Sequence, residues 1–379
     1  MTRLWDWVGN RCRSGAMWVW EPWRFVERME LLRRCFPQWT FLYAQKANRS
    51  FVDVAARVAD GVECASAGEV KRALAVGVRR IAVAGPVMTR EFLAWLSGCA
   101  VEVTVHVESL QQLRLLGSVD WSRPVALRVN ASVASELPAT HHMTGLVPFG
   151  IEPERIPLAV EMAHAVGLEV MGFSHHAVSN CLDAEAYAEH VARSVGLSWE
   201  LARLGGIELR YINVGGGLGS DPRGECIDVV RLAGLVPSLP AGVELVCEPG
   251  RFLAAPAGHY VCEVVDVKSA GGLTFVLVKG GTHHFRLPAA WGYGHPFTVV
   301  PDGWWPYEWD RPEVVDREVR VCGELCTPRD VLHPGQYVSR LRVGDRLVFS
   351  HAGAYGRDIS HSQFLSHEKA GTVTLDTWR

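Results

Sequence analysis

The chain has 379 residues, 48% hydrophobic and 21% charged, with 38 basic residues against 41 acidic ones and a formal net charge of −3. That length allows one large barrel or two domains around a sizeable core. The near-balanced charge, without a basic tract, argues against a nucleic-acid partner, and the lack of a long apolar run argues against a membrane span.

The N-terminal stretch MTRLWDWVGNRCRSGAMWVW sets arginine and aspartate among its tryptophans, unlike the continuous apolar core of a signal peptide. Within it MWVWEP predicts a strand, expected to pair with a sheet from the far end of the chain. From about residue 23 to 265 short β-branched runs alternate with amphipathic stretches. FLYAQ, RIAVAG (80–85), VEVTVHV (101–107), VALRVN (125–130), LEVMGFSHH (168–176), LRYINVGG (209–216) and VELVCEPG (243–250) predict strands. Residues 90–98, 154–167 and 183–206 predict helices, the last with Asp183 as N-cap and Gly205 as its stop.

Such alternation over about 240 residues predicts a parallel α/β fold and suits a TIM barrel. Beyond 265 the helical period gives way to strand-rich segments with Gly/Pro turns, which predicts a β-domain. The expected organisation is a barrel over 23–265 and a β-domain built from 1–22 and 266–379. Ten cysteines are scattered without paired CxxC motifs, against a zinc ribbon. Cys247 and Cys262 sit in apolar runs and read as small hydrophobes. A reducing, cytoplasmic location is expected.

Chemistry is concentrated at predicted strand ends. Lys46 follows the apolar run FLYAQ. Burial at such a place disfavours the ammonium and leaves a neutral nucleophile for an aldehyde cofactor, although lysines flanking strands are commonly solvated. NVGGGLG (213–219) offers bare backbone N–H groups to a phosphate. Its spacing is not GxGxxG, which disfavours a dinucleotide site, and a tight barrel loop is the plainer alternative.

In CEPGR (247–251) the Pro-Gly turn sends Glu248 and Arg251 to different targets. Of the two histidines in HHAVSN (175–180), alternation lets one point into a barrel mouth. Lys46, Arg128, His176, Gly215, Gly216, Gly217 and Glu248 thus fall at the C-terminal strand ends, where barrels place active sites.

With these motifs in this order, over about residues 18–370, the chain resembles the fold-type III pyridoxal-5′-phosphate-dependent decarboxylases, which include ornithine, arginine and diaminopimelate decarboxylases. The resemblance implies an α/β architecture: a (β/α)8 TIM barrel of the alanine racemase type plus a C-terminal β-domain of Greek-key or sandwich-like form. Lys46 in YAQKAN resembles the lysine that carries the cofactor. His176 resembles the histidine stacked on the cofactor ring, and Ser179 its phosphate-side serine. Gly215, Gly216 and Gly217 resemble the phosphate-binding loop.

Glu248 is similar to the glutamate that bonds the pyridine nitrogen, and Gly250 with Arg251 to its phosphate-side neighbours. Cys326 in CGELCTPRD resembles a catalytic cysteine reaching into the partner subunit's site, which implies a homodimer with shared active sites. Tyr355 in GAYG resembles a tyrosine that contacts cofactor and substrate. A glutamate at 248 suits decarboxylation, whereas an arginine there suits racemases of the same fold.

Two departures bear on the substrate. Thr327, followed by Pro328, stands where ornithine and diaminopimelate enzymes carry an acidic residue that reads a distal ammonium. Glu63, in ECASAGE, stands for the aspartate of the D-x-A-S pattern. The segment KGGTHHFRLPAAWGYGHPF (279–297), with HHAVSNCLDAEAY, resembles decarboxylases of citrate-based siderophore pathways (staphyloferrin B, achromobactin, vibrioferrin).

His283, His284 and Arg286 would then form a partly cationic pocket for extra carboxylates, or else a solvated loop. Trp291 and Tyr293 would pack at the dimer seam. The expected substrate is a carboxylate-rich conjugate such as citryl-diaminopropionate or citryl-serine. The alternatives are a free diamino acid, a carrier-protein-tethered aminoacyl group, or a catalytically inactive binding relative, against which retention of Lys46, Glu248, Arg251 and Cys326 speaks.

Overall fold

A computed structural model of the chain describes residues 8, 15–130, 141–142, 147–238 and 242–375. It contains two compact units, one of residues 26–221 and 225–253, the other of 1–25, 222–224 and 254–379.

The first unit is a closed barrel of eight parallel strands. They are β1 (Trp39–Ala44), β2 (Gly61–Cys64), β3 (Arg80–Ala84), β4 (Glu102–Val107), β5 (Val125–Arg128), β6 (Val170–Ser174), β7 (Tyr211–Asn213) and β8 (Glu244–Cys247). Pairing runs in chain order and closes from β8 back to β1, where Leu245 faces Trp39. Helices follow the strands, among them Ala67–Ala75, Arg90–Ser97, Leu110–Gly117, Ile156–Ala165 and Ala184–Gly205. Ser66, Thr89, Ser109 and Asp183 cap four of these by accepting a backbone N–H from the first turn, which satisfies an otherwise orphaned donor.

The helix over 184–205 begins after Asp183 and ends at Gly205 as expected, with Gly206 as the capping residue. Gly206 has φ +66, the left-handed conformation that a terminal glycine adopts without a Cβ clash. β2 lacks a counterpart among the expected strands. It has four residues and carries a glutamate in its interior, so its sequence offers too little apolar alternation to announce a strand.

The barrel interior is a packed layer. Leu42, Ala82, Ala126 and Tyr211, from β1, β3, β5 and β7, cluster with Val246 and are all buried. Strand register then decides what lies one step nearer the C-terminal end. Side chains on one face recur every second residue. The pairs Ala44–Glu63, Ala84–His106, Arg128–Ser174 and Asn213–Val246 therefore put Glu63, His106, Arg128 and Asn213 on the interior face at or near strand ends. An apolar floor and a polar upper layer are consequences of the pleat.

The second unit is a mixed eight-stranded sheet. Its main path runs Thr298–Val300, Arg346–Phe349, Gly258–Ala270, Leu273–Val278, Glu313–Cys322 and Val331–Arg342. The N-terminal strand Ala16–Trp20 does pair with it, antiparallel to Gly258–Cys262, and also lies parallel to Gly371–Thr374. Residue 265 falls inside the strand Gly258–Ala270, which belongs whole to this unit. Trp18, Tyr260, Phe285 and Phe349 are buried there in mutual ring contact. No helix among the described residues is long and apolar enough to cross a membrane.

Candidate active site

Lys46 sits in a single helical turn, Gln45–Ala47, directly after β1. Its Nζ lies 3.0 Å from Glu63 Oε2, a carboxylate that is 1% exposed. Gly250 lets the chain after β8 press on this turn, since a Cβ there would come within 3.0 Å of the Ala47 Cβ.

Glu248, just past β8, is buried, and its Oε1 accepts 2.7 Å from Asn213 Nδ2. Asn213 also donates to the Tyr211 hydroxyl at 3.0 Å, and its Oδ1 accepts from Gly215 N at 2.7 Å. His106 Nε2 lies 3.0 Å from the same hydroxyl, and its Nδ1 is 3.8 Å from Glu248. Burial pushes the Glu248 and Glu63 carboxyls above their ordinary range, partly offset in both by the Lys46 charge. Burial also lowers His106 to about 3, so this ring is neutral at physiological pH.

Arg128, at the end of β5, bonds Glu108 Oε1 at 2.8 Å and lies over the Phe149 ring. Glu108 Oε2 also accepts from Gly150 N at 3.1 Å. His176, past β6, accepts 2.9 Å from Gly216 N through Nδ1. A neutral ring so bonded carries its proton on Nε2. Burial, with the Lys46 and Arg128 charges, holds it well below the usual histidine range.

The three glycines admit no side chain. A Cβ on Gly215 would meet His176 Nδ1 at 2.4 Å, one on Gly216 the Glu248 carbonyl at 2.6 Å, and one on Gly217 the Val178 carbonyl at 2.7 Å. Gly215 and Gly217 also have φ of +71 and +101. Ser179 lies in the two-residue strand Val178–Ser179, and Arg251 opens the turn of helix Arg251–Ala254. The barrel thus brings Lys46, Arg128, His176, Gly215–Gly217, Glu248 and Gly250 to its C-terminal end. Sequence reasoning missed His106, Glu108, Tyr211 and Asn213. Their signal is a polar residue at an inward position late in an apolar strand.

The other expected residues lie in the β-unit. Cys326 is an exposed free thiol. Its loop is fixed by the buried Asp330, whose carboxylate accepts from Leu325 N (2.8 Å), Thr282 N (2.6 Å) and Thr282 Oγ1 (2.7 Å). Thr327 and Arg286 line one cavity of about 660 Å³ with Arg329, His361, Tyr293 and Thr282. Among the described residues, its lining includes no acidic side chain.

Arg286 Nη1 lies 3.2 Å from His361 Nδ1, and burial together with that guanidinium lowers the His361 pKa. His284 turns inward, its Nε2 2.7 Å from the Glu368 carbonyl, and His283 is fully buried. Tyr355, at φ +61, packs against Trp291 with ring centroids 6.1 Å apart.

The family described as "Pyridoxal-dependent decarboxylase, pyridoxal binding domain" matches residues 23–255. The 2-[(L-alanin-3-ylcarbamoyl)methyl]-2-hydroxybutanedioate decarboxylase of Staphylococcus aureus is 34% identical over 342 residues, covering 86% of this chain and 85% of that one. The diaminopimelate decarboxylase of Deinococcus radiodurans is 31% identical over 350 residues, 90% of this chain and 85% of the relative. Among solved structures, the Helicobacter pylori diaminopimelate decarboxylase complexed with L-lysine aligns with a TM-score of 0.84 at 23% identity, over 95% of this chain and 91% of that one. The Paramecium bursaria Chlorella virus arginine decarboxylase bound to agmatine gives 0.83 at 20% identity, over 99% and 100%. These last two likenesses speak to the fold.

The barrel mouth fits the cofactor that the family uses. A primary amine, a buried carboxylate held by an amide, a neutral histidine and a bare-backbone glycine cradle suit an aldehyde, a ring nitrogen, an aromatic ring and a phosphate respectively. Sequence, fold and this donor set agree that the chain belongs to the pyridoxal-phosphate-dependent decarboxylases.

Proposed function

We propose that the protein removes the α-carboxylate of an amino acid already joined to a polycarboxylate, of the citryl-diaminopropionate or citryl-serine type, in siderophore biosynthesis. The observation that carries this reading is the cavity bearing Arg286, Arg329 and Thr327 without an acidic group in its lining. Guanidinium forks match carboxylates with paired, charge-assisted hydrogen bonds, whereas a distal ammonium needs an acid. The Staphylococcus aureus relative supports it, since its name describes an alanine linked from C3 through an amide to a hydroxydicarboxylate.

Bound at the barrel mouth, pyridoxal 5′-phosphate would supply the electron sink for the pair left when carbon dioxide departs. Lys46 would hold it through Nζ, and Glu63 beside that amine would steer its proton. Glu248, with a raised affinity for protons and an amide fixing its orientation, would keep a proton at the ring nitrogen. The Gly217 N–H, with Ser179, Gly250 and Arg251, would take the phosphate; Gly215 and Gly216, whose own N–H groups bond Asn213 and His176, would leave it room, and Arg128, His176 and Tyr355 would orient the ring and substrate.

Cys326, exposed on a loop that Asp330 holds rigid, would return a proton to the decarboxylated carbon of the partner subunit's site. Of the three residues expected to read the extra carboxylates, Arg286 lines the cavity, while His283 and His284 are buried. The working unit on this reading is a cytoplasmic homodimer, in keeping with the free state of the nine described cysteines.

Carbon dioxide release from citryl-diaminopropionate and citryl-serine should exceed that from ornithine, lysine and diaminopimelate. Faster turnover of a free diamino acid overturns the substrate assignment. Mixed Lys46→Ala and Cys326→Ala subunits should regain activity. None, despite demonstrated exchange, sinks the shared site.

A further inference from the structure

Outside the barrel mouth, one group of side chains in the β-unit is left with unspent bonding capacity. His283 is fully buried, yet neither Nδ1 nor Nε2 makes a hydrogen bond. Such atoms carry their desolvation cost with nothing to offset it, so a buried imidazole in this state calls for a partner. Its neighbour His284 shows the contrast, with Nδ1 3.3 Å from the Tyr260 hydroxyl and Nε2 2.7 Å from a carbonyl. What faces His283 is Glu324, with Oε1 3.6 Å from His283 Nε2. The other oxygen of Glu324 lies 3.5 Å from His367 Nδ1. One ligand atom from each of the three residues lies within 4.8 Å of the others.

We propose that His283, Glu324 and His367 form a binding site for a zinc-class divalent transition-metal ion. Two imidazoles and a carboxylate are a recurring zinc donor set, with a fourth position left for water or a substrate oxygen. Ligand atoms about 2.0–2.2 Å from a tetrahedral ion stand about 3.3–3.6 Å apart, so the three atoms, each within 4.8 Å of the others, would draw together by small side-chain rotations on loading. The ligands are in suitable states. Burial lowers His283 to about 4, which leaves a neutral lone pair, and Lys279 with the Gly280 N–H keeps the Glu324 carboxyl ionised.

Two contacts define what the ion must displace or tolerate. Gly280 N donates to Glu324 Oε1 at 2.9 Å and leaves the second lone pair of that oxygen open. Lys279 Nζ lies 2.6 Å from Oε2, and its half-exposed side chain can swing into water. The ion would join the 279–284 segment, the strand-end loop at 322–326 and the C-terminal segment at 367. Glu324 is two residues from Cys326, so occupancy would brace the loop that bears this thiol.

The test uses the full-length, cofactor-loaded protein stripped by a chelator, then titrated with zinc and assayed for bound metal after dialysis. Wild type should retain one zinc per chain. His283→Ala and, as a second variant at a partly exposed ring, His367→Gln should bind at least about tenfold more weakly with the fold intact by circular dichroism. Lys279→Ala should bind more tightly than wild type, because the competing ammonium is gone; a purely structural histidine cluster would show no such gain. Failure of wild type to retain stoichiometric zinc, or equal retention by His283→Ala, overturns the proposal.

Discussion

The barrel mouth and the arginine-lined cavity of the β-unit handle polarity in opposite ways. At the mouth, Glu63, His106, Asn213 and Glu248 are buried; Asn213 bonds Glu248, Glu63 bonds Lys46, and burial moves the proton affinities of the two carboxyls and the imidazole. In the cavity Arg329 is exposed and Arg286 keeps to the cavity wall with His361. Low dielectric makes the first region sensitive to single charges, while water screens the second. On the proposed function the difference would separate tasks, the enclosed network setting reactivity and the open cavity selecting by shape and charge.

Three changes would break or sharpen that contrast. The largest effect is expected from Glu248→Gln. It should cut decarboxylation by about 10²–10⁴-fold, as loss of a group that holds a proton in the reaction does. Yet it should raise the thermal stability of the cofactor-free protein, since it removes a buried carboxylate whose charged form is disfavoured. Activity assays and calorimetry on one preparation read both, and a destabilised variant would contradict the assignment of burial as the dominant influence.

A smaller effect is expected at the cavity. Arg286→Gln and Arg329→Gln should each raise KM for the carboxylate-rich substrate by about 10–100-fold, the worth of a charge-assisted hydrogen bond of about 1.5–3 kcal/mol, with kcat nearly unchanged. Unaltered KM in both would empty the cavity of its proposed role.

The smallest effect per group is a pH slope. Burial pushes His106 and His175 down to about 3 and His295 to about 4, from an ordinary value of 6.5. The unfolded chain therefore takes up these protons first. Stability of the cofactor-free protein should be full above about pH 6.5 and fall as pH drops toward 4, by up to about 1.4 kcal/mol per pH unit for each ring. The raised carboxyls Glu63 and Glu248 work the other way, favouring the fold as acid is added from neutrality. Urea melts between pH 7 and 4, on the wild type and on Glu248→Gln, would show which group dominates; a flat profile in the variant as well would mean the rings charge within the fold.

Much of this was legible in the residues. Strand–helix alternation exposed seven of the barrel strands, and Lys46, the glycine run and Glu248 stand out because each breaks an apolar pattern at a strand end. β2 was hidden, because Gly61–Cys64 is short and Glu63 interrupts it. His106, Tyr211 and Asn213 were hidden for a related reason. Their meaning depends on register, which face of the pleat turns inward, and no local run of residues declares that. Arg329 and His361 are brought to the cavity of Arg286 by tertiary folding, so their spacing in the chain carries no signal. Asp330 could be quoted within CGELCTPRD, but its three accepted hydrogen bonds appear only once the loop closes on Thr282.

The strand Ala16–Trp20 lies between Gly258–Cys262 and Gly371–Thr374, so residues more than three hundred positions apart share one sheet. During synthesis from the ribosome this segment must wait for more than three hundred further residues before its second neighbour exists. Until then an aromatic edge stands unpaired, a moment of exposure to aggregation or chaperone capture. Joining the last described residues to the first through a short linker, with new ends placed at an exposed loop, would let both partners emerge close together.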